Sequence, residues 1–509
     1  MLRLIKLLTS RIIIVFILIL CQFALLFLWL YRASLSSDLM PLFNLLAIFC
    51  VIYIINKQED PSYKIAWCVL ILAVPVIGGA LYILCGGRKV PRKLFDGTTR
   101  ANLRMEGLLQ QDQTVWNHLE QKELDVRRVF EYGLRTSSFP VYENTDISYF
   151  SSGEEFWPVL LEELKKAEHF IFLEFFIIDK GEMWDSVLEV LKEKTDAGVE
   201  VKLIYDDFGC ANTLPYHYDR TLNSMGIETY RFNRMRPALI TQMNNRDHRK
   251  IIVIDNRVGF TGGVNLADEY INRRERFGHW RDSALMIRGD AVWSLTVMFL
   301  GMYSFLRQKD DDIDYDRYRL EPHSPVSRAI CQPFSDTPTD GKYIGLSVHL
   351  NLINHARRYI YIDTPYLVLN DDVHMALGLA AANGVDVRIL VPHIPDKKYV
   401  FEITRSNYEQ LIRAGVKVYE YTPGFNHSKS IVMDDTIGLV GTINTDYRSY
   451  YLHFEDGILF CDDPAVIKMR DDFLNTLQKS HEVTLEECTA VPLYRRLWRA
   501  VLRLLAPVM

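Results

Sequence analysis

The chain has 509 residues and lacks the patterns on which several common kinds of site depend. Its eight cysteines include no C-x-x-C pair, which argues against a zinc site and against a disulfide framework. Positive charge is not in excess, since 58 Lys and Arg oppose 64 Asp and Glu for a net charge of −6. A general nucleic-acid binder usually carries a basic footprint, so we expect no nucleic-acid partner. One ordinary core does not serve a chain of this length, and two or more domains are expected.

Long apolar runs are present and are concentrated in the first 85 residues. They give three candidate membrane spans, at 12–31, 39–56 and 65–85. A helix that crosses a bilayer needs about 20 residues, a length that the first and third runs reach and the second only approaches. The first run is too long for a typical signal-peptide core and has no clear cleavage site, so we interpret it as an uncleaved anchor. The sequence therefore predicts a transmembrane region over residues 1–90.

Basic residues beside these runs bear on orientation. One group flanks the third run and consists of Arg88, Lys89, Arg92 and Lys93. A second group precedes the first run and consists of Arg3, Lys6 and Arg11. Basic flanks tend to stay inside the cell, but three full spans cannot keep both groups there. We expect the remainder of the chain on the cytoplasmic side and leave the number of true spans open.

One motif occurs twice with identical spacing, H-x-K-x₄-D-x₆-G-[G/T]-x-N. The first copy consists of His248, Lys250, Asp255, Gly262 and Asn265. The second copy consists of His427, Lys429, Asp434, Gly441 and Asn444. The two histidines are 179 residues apart, which is far longer than the period of a solenoid repeat. The repeat therefore indicates duplication of a whole domain.

Strand and helix patterns alternate in both halves. The first half reads as strand, helix and strand at 169–176, 183–195 and 198–205, and the second half as the same at 359–363, 373–383 and 384–391. Such alternation is typical of α/β domains with a largely buried sheet. We predict two duplicated α/β domains, each a mixed sheet flanked by helices, that form a shared active-site cleft. Their expected bounds are 141–310 and 339–488, with a helical connector at 91–140 and an Asp- and Pro-rich linker at 311–338.

The last residues, 489–509, read as a basic amphipathic helix. Arg495, Arg499 and Arg503 recur every four residues, and leucines, a valine and a tryptophan occupy the other side. Such a helix suits an anionic membrane surface. Docking of the helix on the protein's own domain is the alternative.

The repeated residue types suit transfer of a phosphodiester. One imidazole can attack phosphorus while the other, protonated, supplies the leaving group with a proton. Lys250 and Lys429 would offset negative charge on the phosphate, so this chemistry needs neither a metal nor a cofactor. Which histidine attacks is left open by the residues themselves. Asp255 and Asp434 belong to the catalytic motif, although their position at the turn after a strand favours a structural role.

Other residues near the motifs are weaker candidates. Asn265 and Asn444 could donate hydrogen bonds to a phosphate, and Gly262 and Gly441 would allow the main chain to approach it. The sequence His279-Trp280-Arg281-Asp282 could bind a head group or pack beside the site. Tyr366 and Phe425 could line the entry for acyl chains or fill the core, and Arg448 could hold phosphate.

Several stretches carry a resemblance to a known family. They include Asn245–Lys250, Gly262–Tyr270, His279–Asp282, Thr364–Tyr366 and Tyr421–Phe425. On these residues the chain, from about Lys57 onward, resembles the bacterial cardiolipin synthases of the phospholipase D superfamily. The resemblance implies a multi-pass protein of the bacterial cell membrane that acts on phosphatidylglycerol and other anionic phospholipids. Oligomeric state is not implied.

The resemblance also implies roles. One phosphatidylglycerol would give its phosphatidyl group to a second, yielding cardiolipin and glycerol through a phosphohistidine. It favours His248 as the nucleophile and His427 as the acid, and it assigns an orienting carboxylate downstream of each Asn, which we place on Glu269 and Glu455. The alternatives are a hydrolase that releases phosphatidic acid, a nuclease, and a membrane scaffold without activity. The apolar runs and the acidic charge disfavour the nuclease, and the intact motifs disfavour the scaffold.

Overall fold

The computed structural model describes residues 40–86, 92–235, 244–307, 313–320 and 327–508, together with a few isolated positions before residue 40. In this part of the chain two α/β halves follow a group of helices, and the predicted duplication of an α/β domain is confirmed.

The first described region is a group of three apolar helices, α1 (Met40–Ile55), α2 (Pro61–Ala73) and α3 (Pro75–Cys85). The helix is interrupted between α2 and α3 because Pro75 has no N–H to donate to the preceding turn and its ring collides with that turn. Among the described residues, no helix combines the length and the apolar character that crossing a membrane requires. The expected spans 39–56 and 65–85 are therefore not found as such, and span 12–31 lies outside the described residues apart from isolated positions.

Three helices follow where the connector was expected: α4 (Arg92–Leu108), α5 (Gln113–Leu119) and α6 (Leu124–Ser137). They tie the two halves together. Helix α4 packs on a helix of the first half, with Gly97 against Phe305, while α6 packs on the second half, where its carbonyl at Phe130 accepts from Gln332.

The first half contains a seven-stranded sheet. Its elements in chain order are β1 (Thr145–Phe150), α7 (Gly153–Lys165), β2 (Phe170–Phe175), α8 (Glu182–Asp196), β3 (Glu200–Asp206), α9 (Tyr218–Ser224), β4 (Glu228–Phe232), β5 (Arg246–Asp247), β6 (Ile251–Ile254), β7 (Val258–Gly262), β8 (His279–Arg281), β9 (Ala284–Gly289) and α10 (Val292–Arg307). The strand order is β1-β9-β7-β6-β2-β3-β4, with β2, β3 and β4 parallel and the remaining pairs antiparallel.

The second half repeats this plan. Its elements are β10 (Ile330–Asp336), α11 (Ile344–His355), β11 (Tyr359–Asp363), α12 (Asp371–Ala382), β12 (Asp386–Pro392), α13 (Lys398–Arg413), β13 (Lys417–Tyr421), β14 (Gly424–Asn426), β15 (Ser430–Met433), β16 (Ile437–Gly441), α14 (Tyr447–Tyr451), β17 (His453–Cys461), α15 (Pro464–Leu477), β18 (Ser480–Glu482), α16 (Leu485–Thr489) and α17 (Leu493–Leu505). The order β10-β17-β16-β15-β11-β12-β13-β18 places β6 and β15 at equivalent positions in the two sheets.

Strand β10 lies inside the expected linker 311–338, where the Asp and Pro content predicted no strand. It pairs antiparallel with β17 along its whole length and contains Pro333. An edge strand tolerates proline because one row of its N–H groups needs no partner strand. The second half of the fold therefore begins earlier in the chain than the composition suggested.

Short strands cross between the halves. Strand β5 of the first half runs parallel to the start of β17, and β14 of the second half runs parallel to β8. Arg281 joins the halves further through ion pairs with Asp363 and Asp472. Both crossing strands lie immediately before the residues H-x-K. Their pairing with strands of the opposite half therefore determines where the two histidines meet.

Candidate active site

Each histidine is held by main chain of the opposite half. The N–H of His248 donates to the carbonyl of Phe454 at 2.9 Å, and the N–H of His427 donates to the carbonyl of Arg281 at 2.7 Å. The H-x-K residues lie in the segments just before β6 and β15. The two anchors are equivalent under the duplication, so both imidazoles are fixed by the contact between the halves.

A buried carboxylate of the opposite half also accepts from each imidazole. His248 Nδ1 lies 2.9 and 3.1 Å from the two oxygens of Glu455, and His427 Nδ1 lies 2.6 Å from Asp282 Oδ2. Both carboxylates are fully buried. When Nδ1 carries the hydrogen that the carboxylate accepts, the neutral ring keeps its lone pair on Nε2. This arrangement leaves Nε2 of both rings available for chemistry.

The expectation that Glu269 orients a histidine is wrong. Its carboxylate binds the guanidinium groups of Arg274 and Arg276, while Asp282 occupies the position at His427. Glu455 does contact a histidine, but that histidine belongs to the other motif copy. A signal for Asp282 was present in the sequence, because the acid is followed by a small polar residue and an apolar strand in D-S-A-L-M-I, as in E-D-G-I-L-F.

The motif glycines serve the packing of strands. A Cβ on Gly262, whose φ is +148°, would lie 2.5 Å from the carbonyl oxygen of Ser283, and one on Gly441 would lie 2.4 Å from that of Asp456. Gly263 has a different role, since a Cβ there would lie 1.9 Å from Asp282 Oδ1. Gly263 therefore leaves the space in which the carboxylate partner of His427 sits.

The motif aspartates bind main chain away from the histidines. Asp255 accepts from the N–H groups of residues 168, 169 and 170 at 2.7–2.8 Å, at the start of β2. Asp434 accepts from residues 357, 358 and 359 at 2.7–2.8 Å, at the start of β11. Each aspartate thus ties the end of the motif strand to the neighbouring strand, which is a structural contact.

The motif lysines are buried behind the histidines. Lys250 Nζ donates to the carbonyl of His248 at 2.6 Å, and Lys429 Nζ donates to the carbonyl of His427. Burial lowers the pKa of Lys250 to about 8 and that of Lys429 to about 7. Their charges are therefore sensitive to pH near neutrality.

Both histidines border one cavity of about 560 Å³ between the halves. Asn265 and Asn444 border it as well. Asn265 is engaged by Tyr270 and by the N–H of Ile177, whereas the buried Oδ1 of Asn444 accepts no hydrogen bond within the described residues. Gly262 and Gly441 are not among the residues that border it. The rest of the wall includes aromatic and cationic side chains, namely Phe176, Tyr270, Trp280, Tyr366, Phe425, Arg246, Arg276, Lys397 and Arg448, together with the carboxylates of Glu269, Asp396 and Asp446.

The two imidazoles differ in their surroundings. Burial lowers the pKa of both well below the usual range, with the motif lysines acting in the same direction. The ring of His427 lies 5.3–5.6 Å from those of Trp280, Tyr270 and Phe425. The charge of Asp396 partly opposes the lowering of the His427 pKa. The ring of His248 lies 5.0 Å from that of Phe176 and 5.5 Å from a third imidazole, His453.

His453 joins His248 and Glu455 in a compact group. Its Nε2 accepts from Arg448 Nε at 3.3 Å, and its Nδ1 lies 3.5 Å from Glu455 Oε1. One ligand atom from each of the three residues lies within 4.8 Å of the others, a donor set that zinc accepts. His453 was not predicted from the sequence. It stands two residues before Glu455, as Trp280 stands two residues before Asp282, so an alignment of the two halves would have placed it beside the site.

Comparison with known proteins agrees with this geometry. The family model described as cardiolipin synthase, PLD-like domain, matches residues 160–280 and 349–477, and a phospholipase D-nuclease N-terminal model matches residues 45–87. The duplicated fold and its paired histidines thus define a phospholipase D-like protein.

A curated relative identifies the family more narrowly. Cardiolipin synthase of Alkalihalophilus pseudofirmus is 34% identical over 96% of this chain and 99% of its own length. An uncharacterised protein of Streptococcus mutans is 39% identical over 90% of this chain and 99% of its own. The chain belongs to the cardiolipin synthase family.

A solved structure supports the fold. Phosphatidylserine synthase of Haemophilus influenzae superposes with a TM-score of 0.55 over 74% of this chain and 97% of its own, at 16% sequence identity. At that identity the likeness concerns the arrangement of helices and strands alone.

Proposed function

We propose that this chain transfers a phosphatidyl group from one phosphatidylglycerol to a second, giving cardiolipin and glycerol. The observation that carries the proposal is the pair of imidazoles on one cavity, each with Nδ1 held by a buried carboxylate of the opposite half. Membership of the cardiolipin synthase family supports the choice of a phospholipid as donor.

The reaction needs two steps. His248 Nε2 attacks phosphorus, the P–N bond forms, and the P–O bond to glycerol breaks as His427 gives its proton to the leaving oxygen. A hydroxyl of the second phosphatidylglycerol then attacks phosphorus and gives its proton back to His427, and the P–N bond breaks. The enzyme ends as it began, and no other reactant is consumed.

The surroundings of the two rings support His427 as the acid. The acid carries a positive charge, and aromatic faces attract a cation. Trp280, Tyr270 and Phe425 surround His427, and Asp396 favours its charged form. The motif lysines lower the pKa of both rings, so the distinction rests on Asp396 and on the aromatic side chains around His427. A bound phosphate adds negative charge and so raises the pKa of His427 toward the value that proton donation requires.

The cavity suits the polar part of a phospholipid. Its volume is in the range of small-molecule sites, and cations on its wall match an anionic phosphate. The side-chain amide of Asn444 has hydrogen-bonding capacity to spare among the described residues. Bulky aromatic side chains on the same wall reduce access of water, which favours an alcohol acceptor over hydrolysis.

The proposal includes action at a bacterial cell membrane, with the catalytic halves on the cytoplasmic side. It is supported by the basic residues that flank 65–85 and by exposed apolar side chains on α1 and α2, among them Phe49, Ile52 and Leu72. The phospholipid substrates of the family point the same way, because they are constituents of bilayers.

Product analysis by mass spectrometry tests the proposal. The full chain in detergent is given phosphatidylglycerol alone with EDTA present, beside a His248→Ala/His427→Ala protein. Cardiolipin with free glycerol, absent from the double variant, is the expected result. Phosphatidic acid without cardiolipin would establish the hydrolase instead, and loss of all product on adding EDTA would mean that a metal is required, for which His248, His453 and Glu455 are the first candidate ligands.

A further inference from the structure

Helix α17 turns its apolar side outward. Tyr494, Leu497, Trp498, Val501 and Leu505 follow one another at the spacing of a single helix face, and they are 74, 60, 52, 50 and 41% exposed. We call these five residues the outer stripe. Large apolar side chains that share one continuous exposed face mark an interaction surface, in contrast to isolated exposed ones.

The arginine side of the same helix is engaged by the protein. Arg495 and Arg499 both bind Glu402 on α13, with Arg499 Nε 2.8 Å from the carboxylate. Leu502 and Ala506 lie buried along the same side. Residues 489–509 were expected either to meet a membrane surface or to dock on the protein's own domain. The arginine face docks on the protein, and the apolar face remains exposed.

The position of α17 connects this face to the active site. Ala506, at its end, borders the cavity that holds both histidines, as do Tyr399, Val400 and Ile403 of the neighbouring α13. Helix α17 and the turn after it also contact α2, whose Ile65, Val69 and Leu72 are exposed. The outer stripe is therefore next to the cavity and next to the apolar N-terminal helices.

We propose that the outer stripe inserts into the surface of a lipid bilayer and sets the mouth of the cavity on the layer that holds the substrate. The choice of occupant follows from chemistry: tryptophan and tyrosine favour the level of lipid head groups, and leucine and valine favour the acyl region below. Arg496 and Arg503 are exposed but contact Glu409 and Gln410 of the protein, so the apolar side chains of the stripe carry the proposal. The inference rests on the proposed function, because a phospholipid substrate is what makes a bilayer the surface to be met.

Bromolipid quenching tests insertion directly. The full chain is reconstituted in vesicles of equal parts phosphatidylglycerol and phosphatidylcholine with brominated acyl chains, and its tryptophan emission is compared with that of Trp498→Phe. The difference between the two proteins reports Trp498, and we expect bromine to quench it. If bromine leaves the Trp498 signal unchanged, the proposal is overturned. A protein partner that covers the stripe would give that result.

An activity comparison supplies the second readout. Leu497→Glu and Val501→Glu place a charge in the stripe, and Ala500→Glu places the same charge on an exposed flank of the same helix. On vesicle phosphatidylglycerol the stripe variants should lose about tenfold or more in rate, whereas all three variants should stay within about twofold on short-chain phosphatidylglycerol dispersed as monomers.

Each result separates the two ideas. Equal loss of the stripe variants on both substrates would mean that the stripe supports the fold, and equal loss in Ala500→Glu would mean that added charge alone is responsible. Either would overturn insertion. Failure of the unaltered protein to make cardiolipin from either substrate would reject the proposed function and leave the quenching result to stand by itself.

Discussion

The carboxylate that holds His248 gives the sharpest prediction about the site. In Glu455→Gln the side chain keeps its shape but can no longer accept at both ends. Thr442 Oγ1 donates to Glu455 Oε2 at 2.5 Å, so the amide oxygen of the variant is expected there. The amide oxygen stays 2.9 Å from His248 Nδ1, while the amide nitrogen takes the place of Oε1, 3.1 Å from the same atom. The negative charge beside the ring is lost and one of its two acceptors becomes a donor, so the tautomer with its hydrogen on Nδ1 is less favoured.

The lower limit of the effect follows from the lost hydrogen bond to a charged group, and the upper limit from complete reversal of the tautomer. A hydrogen bond to a charged group contributes about 1.5–3 kcal/mol, which by itself corresponds to roughly 10- to 150-fold in rate. Reversal of a catalytic imidazole tautomer in a serine protease triad lowers kcat about 10⁴-fold. We therefore expect kcat of Glu455→Gln to fall between about 10²- and 10⁴-fold. Cardiolipin formation from phosphatidylglycerol, followed by mass spectrometry over time, measures it.

Glu269→Gln is the matched control. Glu269 borders the same cavity and is buried, but its carboxylate binds Arg274 and Arg276 and neither histidine. The decrease in kcat should stay below about tenfold, since an arginine partner can bind the amide oxygen. Equal decreases in the two variants, or a Glu455→Gln protein close to full activity, would refute the assignment of Glu455 as the residue that orients His248.

Three further predictions concern the same framework. Gly263→Ala should lower kcat by about 10²-fold or more, because the new Cβ displaces Asp282 from His427, and a rate assay near that of the unaltered protein would contradict the close approach of 1.9 Å. The value of kcat/KM should fall as pH rises through 7 to 8, because the pKa of Lys429 is lowered to about 7 and that of Lys250 to about 8 and both lose their charge in that window; a flat profile there would contradict it. Asp255→Ala should lower the free energy of unfolding by roughly 2–4 kcal/mol, measured by denaturant titration, because three main-chain N–H groups lose their acceptor.

Much of this framework was visible in the sequence. The strand expected at 359–363 is β11, and the helix expected at 183–195 lies within α8. Buried strands and amphipathic helices have strong local patterns, and the duplication allowed each half to support the interpretation of the other. The two H-x-K segments were expected at equivalent points of the two halves, and a shared cleft was predicted from them.

Which carboxylate pairs with which histidine could not be found in the same way. The resemblance assigned an acid downstream of each Asn, which selected Glu269 and Glu455. In the structure Glu455 serves the histidine of the first motif and Asp282 that of the second, because β5 and β14 cross to the opposite half. Such contacts depend on how two sheets face each other, which local patterns do not encode.

Which face of the C-terminal helix docks on the protein was also beyond the sequence. The spacing of Arg495 and Arg499 shows that the helix has a basic face and an apolar face. Either of these faces could contact the protein. The position of Glu402 decides the matter, and Glu402 is more than 90 residues away along the chain.

The central claim is that His248 forms the covalent intermediate and His427 supplies the proton, and a burst experiment tests it most directly. A phosphatidyl ester of nitrophenol has a leaving group that needs no protonation, so His427→Ala should release one nitrophenolate per enzyme and then stall. Mass spectrometry should find the phosphatidyl group on His248, and His248→Ala should give neither burst nor adduct. A burst and an adduct on His427 in the His248→Ala protein would contradict the account.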